Sequence, residues 1–267
     1  MDLPASWRAI EPIRPDFMIN CAAFVGSINF VKDFAADVVD QNMRMLLNLY
    51  KIAQQMRETI VVNLVANCGY PGTLDLYREK DFWAGPMDPA VKSYGSTRRM
   101  IEVLSQCYNA QYGVRSANLF VPNMYGPYDS TNPNKTHALN ALVIKFVSAV
   151  KNNRDEVEVW GTGKPIREWL YVKDLAKVIR SIVDVGEYFE EPVNVAQNSG
   201  LSVDELVKII TDRLHYKGKV VKNLNYGDGS MKKVMDDSLF KVRFPGFNFT
   251  NFSQGLDETI DYYRMIL

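Results

Sequence analysis

Histidine and cysteine are scarce in this 267-residue chain: it has two histidines, His137 and His215, and three cysteines, Cys21, Cys68 and Cys107. Two histidines cannot build a multi-histidine metal site, and widely spaced, odd-numbered cysteines without a CxxC offer neither a disulfide framework nor a zinc ligand set. Net charge is also missing, because 31 Lys and Arg balance 31 Asp and Glu. A dedicated nucleic-acid binder normally shows a basic excess, so that class is disfavoured. No apolar run approaches the ~18 residues of a membrane span. The first fourteen residues carry prolines and mixed charges, unlike a secretory signal. What remains is ordinary globular composition, 47% hydrophobic and 23% charged, of a length that suits one large α/β domain or two unequal ones. The expected setting is the cytoplasm.

The pattern along the chain alternates. Residues 16–24 read as a short buried strand entering a small-residue turn. Val39, Met43, Leu46, Leu47, Tyr50 and Ala53 recur at helical spacing across 36–56. IVVNLVA at 60–66 is a strand-length, β-branched run. After a turn-rich loop, 69–93, a second amphipathic helix spans about 95–112, and 114–121 is the next strand. This order predicts a parallel sheet with crossover helices. Beyond residue 125 the texture changes to a loop, a helix over 137–150, a short strand at 157–160, a helix over 174–185 and a strand near 192–196. Ser202 and Glu205 form a capping box before a helix ending near Leu214, and the last helix covers about 256–266.

Chemistry-bearing residues fall at the ends of these strands. Asn67-Cys68-Gly69-Tyr70-Pro71 closes one, and Asn123-Met124-Tyr125-Gly126-Pro127 follows another. Tyr94 and Arg98 are four apart at the start of the second helix and share a face. Trp160-Gly-Thr-Gly-Lys-Pro-Ile-Arg167-Glu168-Trp169 comes later, followed by Tyr171-Val-Lys-Asp174. Taken singly, each has a plain alternative: a buried structural cysteine, a helix-start histidine, an Arg167–Glu168 ion pair, a core tryptophan.

In order and spacing these motifs resemble the extended short-chain dehydrogenase/reductase superfamily, and within it the GDP-L-fucose synthase group. The resemblance covers essentially the whole chain. It implies an incomplete Rossmann-type doubly wound parallel α/β sheet with a smaller C-terminal substrate-binding cap. Residues 1–125 with about 171–198 would form the dinucleotide-binding part, and 126–170 with 199–267 the cap. The implied activity is 3,5-epimerisation followed by NADPH-dependent C4 reduction of GDP-4-keto-6-deoxymannose; NAD is the alternative cofactor. Another nucleotide-sugar 4-epimerase or 4,6-dehydratase, or a non-catalytic nucleotide-sugar binder, are the other readings.

Carried over by position, the resemblance assigns Tyr94 as proton donor to the C4 oxygen, supported by Arg98. Cys68 is the base, His137 the acid, and Asn67 the nearest side chain able to hydrogen-bond the sugar oxygen. Leu64, Val65, Ala66, Asn67, Arg98, Val121, Pro122, Asn123, Met124 and His137 are implied at the cofactor. Lys145, Trp160, Arg167, Asp228 and Lys233 are implied at the nucleotide sugar. The long helices near 38–56 and 95–112 match those that pair in homodimers of the superfamily.

Three departures stand out. Arg98 replaces the family's lysine, and arginine keeps the charge but cannot shuttle a proton. Ala66 stands at the usual serine. The glycine-rich turn that holds the pyrophosphate at a helix N-terminus has no counterpart among the 16 glycines. Met1-Asp2-Leu3 aligns with the end of a third strand, so the opening β-α-β lies outside this alignment. A fragment of a longer product, a cofactor-free protein with a repurposed cap, and strands supplied by another chain are the three explanations.

Overall fold

A computed structural model describes residues 2–56 and 58–267. In chain order its elements are α1 (Leu3–Ile10), β1 (Phe17–Asn20), α2 (Ile28–Asp33), α3 (Ala35–Gln55), β2 (Ile60–Ala66), α4 (Lys92–Tyr112), β3 (Arg115–Val121) and β4 (Asn123–Tyr125). There follow α5 (Ala138–Lys151), β5 (Glu156–Trp160), β6 (Ile166–Arg167), β7 (Trp169–Tyr171), α6 (Val172–Val185) and β8 (Val193–Asn194). The chain ends with β9 (Leu201–Ser202), α7 (Val203–Leu214), β10 (Lys219–Asn223), β11 (Lys232–Lys233), α8 (Ser238–Arg243) and α9 (Phe252–Ile266).

The main sheet has the order β1-β2-β3-β8, all pairs parallel. Helices on both faces explain why β2 and β3 read as nearly continuous apolar runs rather than alternating ones. An asparagine ladder crosses them: Asn20, Asn63 and Asn118 are paired across β1, β2 and β3. Asn20 Nδ2 donates to Asn63 Oδ1 at 3.0 Å, and Asn63 Nδ2 donates to Asn118 Oδ1 and to the Tyr50 hydroxyl, both at 2.9 Å. Asn118 in turn donates to Ser105 Oγ at 2.7 Å. Buried amides are tolerated here because each finds a partner.

Two apolar cores lie against this sheet. One joins α3 and α4 to β2 around Tyr50, Tyr70, Phe82, Ile101 and Phe120. The other joins α6 and α8 around Leu119, Val178, Val193 and Phe240. A third core gathers α5, α7, α9 and β5 around Phe146, Leu206, Ile210 and Tyr263. The small β10-β5 and β11-β6-β9 sheets flank it. No helix among the described residues is long and apolar enough to cross a membrane.

The long helices and main strands fall where periodicity puts them, and the Ser202–Glu205 capping box is formed in both directions. Several short elements are absent from the sequence reading, α1, α2 and β10 among them. Leu3 begins helix α1 instead of ending a strand, because Pro4 suits a first helical turn and Leu3, Trp7 and Ile10 pack on the α3 core. Met1 lies outside the described residues. Helix α2, whose N-cap is Ser27, and strand β10, parallel to β5, lie in stretches whose short apolar runs carry no clear period.

Candidate active site

The site is assembled where β2, α4 and the cap segments meet. β2 ends in a tight turn at Asn67–Gly69, and α4 approaches it through Gly95. A Cβ at Gly95 would come within 2.6 Å of the Cys68 carbonyl and 2.7 Å of Met87 Sδ, so only glycine permits this approach. The close contact brings Tyr94, one residue earlier, beside the Cys68 turn. Burial raises the Tyr94 phenol above its ordinary value, and the nearby Arg98 charge opposes that rise.

Arg98 is buried, and its guanidinium carbon lies 4.6 Å from the centroid of the Tyr94 ring. Sequence spacing puts Arg98 beside the phenol; the structure puts its charge over the ring face. Nη2 donates to Asn42 Oδ1 at 2.9 Å, while Asn42 Nδ2 donates to the Phe24 carbonyl, also at 2.9 Å. Asn42 thus locks Arg98 to the loop after β1, a role the helical pattern of α3 does not reveal.

Cys68 is half-buried. Burial pushes its thiol up, while the charges of Lys233 and Arg98 pull it down. Lys233, on β11, is itself pushed down by burial and feels Cys68, Arg167 and Asp88. Arg167 pairs with Lys233 in the β6–β11 register and donates from Nη2 to the Asp228 carbonyl at 2.9 Å. Asp228 accepts from Thr162 N at 2.7 Å and from Thr162 Oγ1 at 2.6 Å. Gly161, at φ +77°, must be glycine there: a Cβ would sit 2.3 Å from Asp228 Oδ1. Asp88 accepts from Ser230 Oγ at 2.8 Å and Ala90 N at 2.9 Å. Tyr77 feels Arg167, Asp88 and Cys68, with burial pushing its phenol up to about 12. The cluster therefore joins Cys68, Tyr94, Arg98, Arg167 and Lys233, as the sequence proposes, and adds Asp88, Tyr77 and Ser230.

Trp160 stacks on Tyr226, with ring centroids 4.0 Å apart and planes 12° off parallel. Lys145 Nζ lies 4.8 Å from the Trp160 ring centroid and donates to the Glu158 carbonyl at 3.0 Å. Burial lowers the Lys145 ammonium from its ordinary value. Trp160 is thus a partly exposed platform instead of a core residue.

His137 is placed differently. It is the exposed N-cap of α5, and its Nδ1 lies 3.2 Å from Asp129 Oδ2. The hydrogen bond to Asp129 raises the imidazole above its ordinary value. Although burial alone would raise Asp129, the contacts from His137 hold its carboxyl down at about 2. No hydrogen bond joins His137 to Cys68 among the described residues. Asp129 lies eight residues from His137 across a proline-containing loop, a pairing that no helical or strand spacing signals.

The residues implied at the cofactor fall into two groups. Val65, Val121 and Pro122 are buried in the sheet, so only their backbone could touch a ligand. Leu64, Ala66, Asn123 and Met124 are half-buried. Asn67 is buried at 5% exposure, and its Nδ2 has no hydrogen-bond partner among the described residues. An orphaned buried amide donor in the turn that ends β2 fits an acceptor on a bound ring or sugar. These residues suit the nicotinamide end of a dinucleotide, whereas the glycine turn that would cradle its pyrophosphate is not among the 267 residues.

A parallel sheet ending in a Tyr-x-x-x-Arg helix, with a thiol and paired cations at its carboxyl edge, defines a class, and comparison with known proteins agrees. The profile described as the NAD dependent epimerase/dehydratase family matches residues 2–196, and the chain belongs to that family. Among individual relatives it is 31% identical to a probable GDP-L-fucose synthase 1 of Oryza sativa subsp. japonica, over 93% of this chain and 76% of that protein. It is 28% identical to the GDP-L-fucose synthase of Dictyostelium discoideum, over 95% of this chain and 79% of that one. The crystal structure of a GDP-L-fucose synthetase from Naegleria fowleri bound to NADP superposes with a TM-score of 0.87 at 25% identity, covering 98% of this chain and 80% of that chain.

Proposed function

We propose that this chain is a nucleotide-sugar epimerase/reductase of the GDP-L-fucose synthase type, using NADP(H) on GDP-4-keto-6-deoxymannose. The observation that carries the reading is the joining of Cys68, Tyr94 and Arg98 to Lys233 and Arg167 in one cluster. Named relatives of this type are its support on the sequence side. In this reading 1–125 with 171–198 carry the dinucleotide and the remainder caps the sugar nucleotide.

Protons beside a ketone are acidic enough for a positioned thiolate to remove. Lys233 and Arg98 favour that thiolate against the burial that opposes it. His137, whose protonated form Asp129 favours, returns a proton from the other face, and the two steps invert a centre. Tyr94 gives its proton to the C4 oxygen, with the fixed Arg98 charge stabilising the phenolate left behind. NADPH, when bound, supplies hydride to C4. Asn67 holds the acceptor facing its free amide. Arg167 and Lys233 face the diphosphate, Lys145 adds a third cation, and Trp160 offers the base a stacking surface. Asp228 shapes this subsite by fixing Arg167 through its carbonyl.

A second reading, a nucleotide-sugar binder without turnover, is favoured by the Arg98 charge lying over the Tyr94 ring and by Ala66 at the usual serine. One experiment separates the two. NADPH is titrated into the 267-residue chain by tryptophan fluorescence, then its oxidation is followed with GDP-4-keto-6-deoxymannose. Saturable binding with turnover supports the reductase. Sugar-nucleotide binding without NADPH oxidation at any cofactor concentration assigns the chain to the second reading.

The assembly belonging to this reading is a cytoplasmic homodimer formed through α3 and α4. Exposed Val39 and Leu47 on α3, with Tyr112 on α4, give these helices an apolar outer face. Sedimentation at micromolar concentration tests it, and a monomer refutes it.

A further inference from the structure

At the junction of β6 and β7 the chain leaves one ladder for another. Arg167 on β6 pairs with Lys233 of β11, and Trp169 on β7 pairs with Asn123 of β4. Glu168 sits between them with 0% exposure. It makes no ion pair with Arg167, whose guanidinium turns to the Ile166 and Asp228 carbonyls. Its Oε1 accepts the Gln197 amide at 2.5 Å, and its Oε2 accepts the Met235 amide at 2.8 Å. Its own amide donates to the Lys233 carbonyl at 3.0 Å. One residue therefore grips both ends of the 233–235 segment and ties it to the chain leaving β8. The same segment is held from the other side by Tyr77, whose amide donates to the Val234 carbonyl at 2.9 Å and whose carbonyl accepts the Asp236 amide, also at 2.9 Å.

We infer that Glu168 is the positioning residue that sets Lys233 against Cys68 and Arg167, and so sets the affinity for a nucleoside diphosphate sugar. The inference rests on the diphosphate role proposed for Arg167 and Lys233. A buried carboxylate is an expensive way to join two loops, since an apolar residue could fill the space. Its advantage is reach, because two acceptor oxygens fix two amides from different segments at once. A glutamine must turn an NH₂ toward one of those amide donors and cannot replace it.

Burial pushes the Glu168 carboxyl up to about 7, against the pull of the Gln197 and Met235 amides, and the charge of Asp237 pushes the same way. The charge that acts on it is that of Asp237, beyond β11; the β8 exit presents the Gln197 and Asn198 amides, β11 leads to the Met235 amide, and the Asn123 side chain on β4 donates to its backbone carbonyl. Both oxygens accept only when the carboxyl is ionised, so the clamp tightens as pH rises through about 7. For stability the sign is opposite. A carboxyl raised in the fold contributes most below its unfolded value of ~4.3, and that contribution is lost as pH rises through about 7.

The test is the dissociation constant of GDP-mannose, a diphosphate diester that does not titrate in this range, measured from pH 5.5 to 8.5. The full chain is compared with Glu168→Gln and Glu168→Asp. Wild type should bind more tightly as pH passes about 7. The Gln variant should bind about tenfold more weakly at pH 8, the equivalent of one charged hydrogen bond, and lose the pH limb. The Asp variant should recover part of both. Iodoacetamide labelling of Cys68, resolved from Cys21 and Cys107 by peptide mass, gives a second readout: displaced Lys233 should shift its pH midpoint upward in the Gln variant. Binding and labelling do not require turnover, so an inactive chain refutes the reductase reading without touching this one. A melting-temperature change in Glu168→Gln with an unmoved pH limb and labelling midpoint means that Glu168 only supports the fold. If the Gln variant does not fold, a wild-type affinity that is flat across pH 7 overturns the inference by itself.

Discussion

Cys68 and His137 are proposed for the same kind of step, yet the chain gives them opposite surroundings. Cys68 is half-buried at the end of a core strand, and the cations that favour its ionised form come from α4 and β11, far away in sequence. His137 is exposed at a helix N-cap, and the group that favours its charged form is Asp129, eight residues earlier. A base needs its thiolate made accessible against burial, so it needs charges assembled by the tertiary fold. An acid needs its protonated form favoured, and one local carboxylate does that. The difference teaches that the thiol's reactivity depends on how the cap is seated, while the imidazole's depends on a single loop.

The largest effect that could break this pairing comes from removing each group. Cys68→Ser and His137→Asn should each lower epimerisation by about 10²–10⁴-fold, the usual worth of a general base or acid. The readout is deuterium exchange from solvent into C3 and C5 of the sugar. If the two groups serve opposite faces, each variant should alter exchange and inversion differently. Equal, undiminished turnover in both would remove the epimerase half of the proposed mechanism.

A smaller effect separates the local from the tertiary arrangement. Asp129→Asn should return the His137 imidazole toward its ordinary value near ~6.5, seen by NMR titration of its ring protons. Turnover above neutrality should fall, and Cys68 labelling should stay unchanged. A shift in Cys68 labelling would mean that the two sites are linked and that the imidazole does not depend on its loop alone. The reverse experiment is the Glu168 substitution, which should move Cys68 and leave the His137 titration where it is.

The same pair has a stability signature. Asp129 sits at about 2, below its unfolded value of ~3.9, so its contribution is present above that value and lost as pH falls toward 2. His137 is raised, so its contribution is full below ~6.5 and lost as pH rises through its folded value. The difference in melting temperature between wild type and Asp129→Asn should therefore be greatest between about pH 4 and 6.5. It should shrink on both sides. A difference independent of pH would show that Asp129 acts only through its bonds to Asn140 and the His137 amide, at 3.0 Å each.

How far these features can be read from the sequence follows the same division. β2, β3 and the long helices α3 and α4 declare themselves, because apolar period and β-branched runs encode burial directly. Cys68, Tyr94 and Arg167 stand out by their place in motifs at strand and helix ends. Asp88 and Ser230 do not, and Glu168 stands in a motif only as a partner for Arg167, since each acts through a residue more than 25 positions away that no local period reports. Arg98 was legible as a cation beside Tyr94, but not its position over the ring, which depends on Asn42 from a different helix. Helix α2 and strand β10 are hidden in the sequence for the same physical reason: each is stabilised by what it packs on, not by its own pattern.

The smallest effect concerns where the nucleotide enters. Tyr226 lies flat on Trp160, and its loop also carries Asp228, which fixes Arg167. If the base stacks on Trp160, Tyr226 must either share that surface or be displaced from it. An aromatic contact of this kind is worth ~0.5–1.5 kcal/mol, so Tyr226→Leu should change GDP-mannose affinity by roughly two- to tenfold. The direction tells which arrangement holds: weaker binding means the base lies against both rings, and tighter binding means Tyr226 covers the platform until the base arrives. In either case the kcat of the reductase step and the His137 titration should be unchanged, because this contact belongs to the Arg167 and Lys233 side of the site. A loss of kcat larger than the change in affinity would place Tyr226 at the reacting sugar and would shift the nucleotide away from Trp160.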